Sequence, residues 1–279
     1  MILVIGAAHD GVLKHWLTYC MNHHCTFSFV DPKRLDQDIH FDENFWYFPE
    51  TAPIPHAIFS GVYNRFLYHE KMSIAQWQTQ LKLFDWLDNR YPCVINRPKD
   101  TMSNLSKPYQ LELARQFSAW RIPKTNIVMN AAMEIKQPMV CKSISSVRSV
   151  VDRVYQDESK SFFEPALLQE YLPGLNIRVH VCQKTVVAVS IQSQAIDYRY
   201  APSPNQMGLY VLPKSINQAC MELSEYLKLT FCGIDLIYHE GDYYFLEANP
   251  SPGYAYFESA LKQPLISNAL YRCLTQRKT

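Results

Sequence analysis

Near the end of the chain, two acidic residues and a carboxamide have the types and spacing of a hard-cation site. Residues 233–250 read Gly-Ile-Asp235-Leu-Ile-Tyr, then His-Glu-Gly-Asp, then Tyr-Tyr-Phe-Leu-Glu247-Ala-Asn249-Pro. Two apolar runs flank a glycine-containing turn, which predicts a β-hairpin. Alternation along a strand puts Glu247 and Asn249 on one face. Asp235 joins them if a three-residue loop, 240–242, sets it opposite Glu247, with Gly241 supplying a positive φ. Two carboxylates and an amide oxygen then converge, an oxygen-only set suited to Mg²⁺ carrying phosphates. The alternative is a solvated edge, which would suit a lone acid. Asp235 instead lies within Ile-Asp-Leu-Ile and Glu247 within Phe-Leu-Glu-Ala. Two buried carboxylates on facing strands repel unless a cation lies between them.

Two lysines fit such a site. Lys107 follows Ser106 and opens a helix, and Lys142 directly follows the apolar run Met139-Val-Cys. Alone, each reads equally well as a surface lysine; beside a phosphate site, each is placed to meet an anion as a point charge. Leu168-Gln169-Glu170-Tyr171-Leu172 predicts a strand that stops pairing at Pro173-Gly174, leaving backbone groups free to read an adenine edge. Arg178 and Arg199 sit in sheet-like contexts where either could hold a transferring phosphoryl group or a substrate carboxylate. A structural salt bridge is as good a use of each.

The elements that must position these residues follow an alternating rhythm. Strands are expected at 2–5, 26–30, 57–63 and 93–95, and helices at 12–21 and 74–87, the latter with Trp77, Leu81, Phe84 and Leu87 on one stripe. That order implies a parallel sheet with crossover helices. Beyond residue 100 the spacing predicts a helix over 109–120, strands at 125–129, 139–141 and 167–171, and a helical turn over 150–154. Strands 177–182 and 185–192 form a hairpin, and helices follow at 215–227 and 264–274. The aromatic-rich stretch with Phe41, Phe45, Trp46, Tyr47, Phe48, His56 and Tyr63 reads either as a substrate cleft or as a satellite core.

Composition removes several classes. The chain has 279 residues with 48% hydrophobic and 19% charged, enough for a sizeable core and against wholesale disorder. A net charge of +1 lacks the footprint of a nucleic-acid binder. No apolar run reaches the ~20 residues needed to span a bilayer, and 1–8 read as a buried strand rather than a signal peptide. The 8 cysteines show no CxxC, so a free, reduced set in the cytoplasm is expected. His23, His24 and Cys25 lack a second metal-ligand pair, and the 6–11 turn lacks GxGxxG.

Taken together, the pieces resemble the ATP-grasp superfamily, and within it the RimK-like carboxylate–amine ligases, including those that close graspetide (microviridin-type) peptides. Asn96-Arg-Pro, then Asn104-Leu-Ser-Lys107 and Gln110-Leu, resembles the opening of the family's nucleotide-binding region. Arg121-Ile-Pro-Lys-Thr125 resembles its iP.T step, Val140-Cys-Lys142 its second nucleotide lysine, and Gln169-Glu170-Tyr171-Leu172 its interlobe hinge. Asn176-Ile-Arg178-Val looks like the phosphate-side arginine, and Gly233-Ile-Asp235 with Leu246-Glu247-Ala-Asn249-Pro250 like the metal strands. The likeness runs from about residue 93 to the end of the sequence.

The resemblance implies an α/β chain with the ATP-grasp fold: a Rossmann-like preATP-grasp domain over 1–98, a central lobe over 99–166 and a C-terminal lobe over 167–279. It implies ATP and one or two Mg²⁺, with Mn²⁺ as a substitute. Lys107, Lys142, Gln169, Glu170, Tyr171, Leu172 and Leu246 would hold nucleotide, Asp235, Glu247 and Asn249 metal, and Arg178 and Arg199 would serve catalysis. A carboxylate would attack the γ-phosphorus to give an acyl phosphate and ADP, and an amine would then displace phosphate, forming an amide (or, with a hydroxyl, an ester) on a peptide or amino-acid-like substrate. No nucleic-acid or membrane partner is implied, and a homodimer is the expected assembly. Two features depart from the pattern. Residues 143–149 hold no glycine where the family has a glycine-rich loop, and Pro252-Gly253-Tyr254 resembles the ending of the superfamily's inositol-phosphate kinases. Those kinases have Asp where this chain has Glu247, which favours the ligase over a small-molecule kinase or a nucleotide-binding module without turnover.

Overall fold

The parallel sheet expected at the start of the chain is present. The computed structural model describes residues 1–35, 37–65, 73–103, 105–144, 151, 153–201 and 204–276. The chain divides into two compact units, one of 1–102 with 228–231 and 253–279, the other of 103–227 with 232–252.

The first unit begins with β1 (Ile2–Ile5), α1 (Gly11–Asn22) and β2 (Phe27–Val30). Three short strands follow, β3 (His40–Phe41), β4 (Phe45–Tyr47) and β5 (Ile54–Pro55). Then come β6 (Gly61–Asn64), α2 (Ile74–Arg90), β7 (Val94–Ile95) and α3 (Pro98–Ser103). The main sheet is four-stranded and parallel, in the order β2-β1-β6-β7. Leu3, Ile5, Val62 and Val94 pack with Leu83 and Leu87 of α2. The side chains of Trp77, Leu81 and Phe84, expected on the same stripe, lie outside the described residues.

The aromatic stretch proves to be a satellite core. Trp46 is fully buried and its indole N–H donates to the Tyr91 hydroxyl at 2.8 Å. His56 is bonded at both ring nitrogens, to the Tyr91 hydroxyl at 2.8 Å and the Asp42 carbonyl at 2.9 Å. That anchoring holds His56–Ile58 in a 3₁₀ turn, so the strand expected over 57–63 is shortened to β6.

The second unit opens with α4 (Lys107–Ala114), β8 (Thr125–Val128), β9 (Ala131–Ile135), β10 (Met139–Ser143), β11 (Val154–Tyr155), β12 (Glu158–Phe162) and β13 (Ala166–Glu170). It continues with β14 (Leu175–Cys182), β15 (Thr185–Gln192), β16 (Gln206–Leu209), α5 (Lys214–Tyr226), β17 (Phe231–His239) and β18 (Asp242–Asn249). One sheet runs β11-β10-β13-β8, and a larger one runs β16-β15-β14-β17-β18. The amphipathic α5 turns Ile216, Ala219, Cys220 and Leu223 inward.

Two expectations fail here for local reasons. The helix predicted over 109–120 ends at Ala114, whose carbonyl accepts the Trp120 indole N–H at 3.0 Å. A continuing helix would have given that carbonyl to the residue 118 amide. The helical turn predicted over 150–154 gives way to β11, because Val154 pairs with Val140 at the edge of β10; residues 145–150 and 152, including most of the glycine-free loop, lie outside the described residues.

The chain returns to the first unit through α6 (Ala255–Leu261) and α7 (Leu265–Thr275). Ile266, Ala269, Leu270, Cys273 and Leu274 of α7 are buried. At Gly61 an added Cβ would lie 2.7 Å from the Leu274 carbonyl oxygen, so β6 and α7 touch backbone to backbone. Glu258 caps α7 from α6. Its Oε1 accepts the Ile266 and Ser267 amides at 2.6 and 2.7 Å, and its Oε2 meets His15 Nε2 of α1 at 2.7 Å.

Candidate active site

The hairpin at the heart of the second unit reaches the expected register by another route. His239 pairs with Asp242 across a two-residue turn, Glu240–Gly241. Both turn residues have positive φ, +50° and +92°, as a type I′ turn requires. The three-residue loop predicted from the sequence is therefore absent. A regular ladder from this turn would set Asp235 against Leu246 and send Glu247 to the other face. Instead the register shifts: Leu236 pairs with Phe245, and Asp235 pairs with Glu247. Leu246 is the extra residue, a β-bulge. The bulge brings the two carboxylates face to face.

Neighbouring elements then supply a cation to each acid. On β14, Arg178 donates from Nη1 to Asp235 Oδ2 at 2.7 Å. Its guanidinium lies over the backbone of β17, where a Cβ on Gly233 would come within 2.5 Å of Nη2. Lys107 opens α4 behind the Ser106 N-cap. Gln110 pins that helix to β18: its Nε2 donates to the Ala248 carbonyl at 2.6 Å and its Oε1 accepts the Ala248 amide at 3.0 Å. Lys107 is only 2% exposed, and its Nζ lies 3.1 Å from Glu247 Oε2.

Lys142, at the end of β10, donates to Gln169 Oε1 of β13 at 2.8 Å. Arg199 lies in a 3₁₀ turn capped by Asp197, and it donates from Nε and Nη2 to the two carboxylate oxygens of Asp197 at 2.8 and 2.6 Å. Asp197 and Tyr198 join the site though neither was singled out in the sequence. The Asp-x-Arg spacing signals the ion pair, but nothing local signals where the turn packs.

Lys107, Lys142, Gln169, Glu170, Tyr171, Leu172, Arg199, Asp235, Leu246 and Glu247 line one cavity of about 280 Å³, and Arg178 supports it through Asp235. At the hinge, the Glu170 and Tyr171 amides donate to the Lys124 and Pro138 carbonyls at 2.8 and 2.9 Å. Leu172 lies past both bonds and lines the cavity. Asn249 stands apart from the cavity wall. It pairs with Gly233, and its Oδ1 accepts the Ser251 amide at 2.8 Å.

Charge in the cavity is uneven. Asp235, Glu247 and Asp197 each have a cation, whereas Lys142 is bonded to a neutral amide. Burial pushes the Asp235 carboxyl up; Arg178 opposes that rise and Glu247 adds to it. Burial acts on Glu247 too, but Lys107 and Lys142 outweigh it and hold the carboxyl below its usual range. Desolvation pulls the Lys142 ammonium down to about 8, against the attraction of Glu247. Burial works against the charge on Arg178, but Asp235 outweighs it and raises its pKa. The residues present therefore fit a bound polyanion with a divalent cation: two carboxylate oxygen donors on facing strands, and beside them a Lys142 ammonium bonded to a neutral amide.

Comparison with known proteins identifies the family and the fold. A match to the ATP-grasp domain family spans residues 109–253, just over half of the chain. The chain is 23% identical over 222 residues to coenzyme gamma-F420-2:alpha-L-glutamate ligase of Methanococcus maripaludis, covering 69% of this chain and 76% of that one. Among solved structures, macrocyclase MdnC from Microcystis aeruginosa, bound with precursor peptide MdnA, aligns with a TM-score of 0.75 at 18% identity over 98% of this chain and 99% of that one. The ATP-grasp ligase PsnB, complexed with a phosphomimetic variant of its minimal precursor, Mg and ADP, aligns with a TM-score of 0.72 at 19% identity over 98% of each chain. These structures share the fold. Among the described residues no helix is long and apolar enough to cross a membrane. With the matched segment spanning more than half of the chain and holding Lys142, Gln169 and the carboxylate hairpin, the chain belongs to the ATP-grasp family.

Proposed function

We propose that this chain is an ADP-forming ligase that activates a carboxylate as an acyl phosphate and joins it to an amine, with a peptide as substrate. The observation that carries this reading is the cavity in which Asp235 and Glu247 face each other amid Lys107, Lys142, Arg178 and Arg199. The relatives named above are ligases, and two of the solved structures hold precursor peptides. Adenine would lie against Glu170–Leu172, and Lys107 and Lys142 would meet the phosphates. Asp235 and Glu247 would hold Mg²⁺. When bound, the metal would neutralise negative charge on the phosphates. Positioning and charge neutralisation do most of the work in phosphoryl transfer. Arg199, fixed by Asp197, and Arg178 would balance charge on the attacked phosphorus. The carboxylate oxygen forms the new P–O bond as the β–γ bridge breaks and ADP leaves. The amine nitrogen then attacks the acyl carbon, phosphate departs, and the amine proton is lost. Eight free cysteines suit a reducing compartment.

The test is ATP-dependent phosphate release against a panel of peptides carrying Asp, Glu and Lys side chains, followed by mass spectrometry. ADP, free phosphate and a product short of one water are expected in equal amounts. A phosphoryl group retained on the acceptor would overturn the ligase in favour of a kinase.

The Lys142 ammonium makes nucleotide binding pH-dependent. With its pKa near 8 in the free protein, about half of the molecules carry a neutral amine there. Bound polyphosphate raises that pKa, so binding takes up a proton. Calorimetry with Mg-ADP in buffers of different ionisation heats should show uptake at about pH 8.5 and almost none at about pH 6.5. Affinity should weaken by up to about tenfold per pH unit above 8. Equal proton uptake at both pH values would contradict it.

A further inference from the structure

In the Pro123-Lys-Thr125 step before β8, the threonine has no part in the site so far. Its threonine sits in the middle of a one-way chain of hydrogen bonds. Thr125 Oγ1 donates to the Pro123 carbonyl at 2.8 Å. With its proton committed there, the hydroxyl meets Gln169 only as an acceptor, taking the Nε2 proton at 3.1 Å. The Gln169 amide is thereby fixed with its oxygen turned the other way, and that oxygen accepts from Lys142 Nζ at 2.8 Å. Gln169 is 1% exposed, so no water substitutes for a missing partner.

The sheet register makes this wiring obligatory. Thr125 pairs directly with Gln169, and Gln169 pairs directly with Val140. Lys142 is two residues beyond Val140 on β10, on the same face. Val140, Lys142 and Gln169 all line the cavity. Three adjacent strands therefore carry one row of side chains that ends at the ammonium. A reversed amide would turn an N–H₂ toward the ammonium and an oxygen toward a hydroxyl whose proton is already used.

We propose that Thr125 and Gln169 form a positioning relay that aims the Lys142 ammonium into the cavity, with Thr125 setting the orientation of the Gln169 amide. The relay deepens the nucleotide reading above and rests on it. Thr125 touches no ligand and acts through Gln169 alone. Without the hydroxyl, the amide is free to rotate, and Lys142 spends part of its time without its acceptor.

The test is titration of the purified chain with the magnesium complex of a non-hydrolysable ATP analogue. Thr125→Val should weaken binding about tenfold, the loss of one hydrogen bond to a charged group, while Thr125→Ser stays within about twofold. In a Gln169→Leu background, Thr125→Val should add no further loss. The pH above which affinity falls should move down by about one unit in Thr125→Val, a shift that a purely structural role would not produce. Thermal melts check that each variant folds, and Thr125→Ala replaces the valine variant if that one does not. Unchanged affinity in Thr125→Val, or a tenfold loss that persists in the Gln169→Leu background, would overturn the relay alone. Failure of the unaltered chain to bind the analogue would overturn the nucleotide reading and the relay with it.

Discussion

Glu247→Gln is expected to lower ATP turnover by at least about 10³-fold, the scale seen when a charge that organises a transition state is removed. Three interactions meet at this carboxylate. It faces Asp235 because of the bulge at Leu246, it pairs with buried Lys107 at 3.1 Å, and in the proposed function it would hold the cation. Glutamine keeps the shape and leaves an amide oxygen for Lys107, so the fold survives while the negative charge is lost. Phosphate release, with a thermal melt as control, reads the outcome. Full turnover in this variant would remove the carboxylate from the metal site.

Arg178→Leu should cost about 3–5 kcal/mol of stability, because it strands Asp235 as an uncompensated buried charge. Arg178 and Asp235 are 2.7 Å apart, with side chains only 6% and 17% exposed. The sign of the pH dependence follows. Burial already raises the Asp235 carboxyl, and loss of the arginine raises it further. A carboxyl raised above its unfolded value costs stability as pH climbs past that value, and the cost grows until the folded pKa is reached. The deficit, measured as the urea midpoint, should therefore be larger at about pH 8 than at about pH 5. Replacing both partners by leucine should recover most of it. A single variant as stable as the parent at both pH values would contradict the pair.

The chemistry of this site was largely legible because it sits at the ends of strongly patterned elements. Lys107 follows a capping serine, Lys142 follows a buried strand, and Asp235 and Glu247 are charges embedded in apolar runs. Their convergence follows from periodicity alone once the hairpin register is known. The register itself was reached through the wrong device. Tyr-Tyr-Phe-Leu gives no sign of which residue is supernumerary, since a bulge is decided by what both faces must pack against rather than by local preference. The end of α4 was missed for a similar reason: the indole that closes it comes from Trp120, the last residue of the predicted helix, which folds back onto the Ala114 carbonyl. β3 to β5 are two or three residues each and depend on Trp46, His56 and Tyr91, which lie up to 45 residues apart in sequence. No window of periodicity sees such partners. Asp197 and Tyr198 lie in an irregular turn, where position comes from tertiary packing.

The backbone contact between Gly61 and Leu274 sets an order of events for the growing polypeptide. During synthesis, β1, β6 and α1 emerge early, yet β6 packs against α7, which is made only after the second unit. The second unit is translated in the interval and can complete its own hydrogen bonding. The first must wait, with apolar strand surface open to solvent, until α7 arrives and Glu258 locks its amino end. Truncations within α7 should therefore damage the opening sheet rather than the carboxylate hairpin, which leaves the first strands exposed for the whole interval in which the second unit is made.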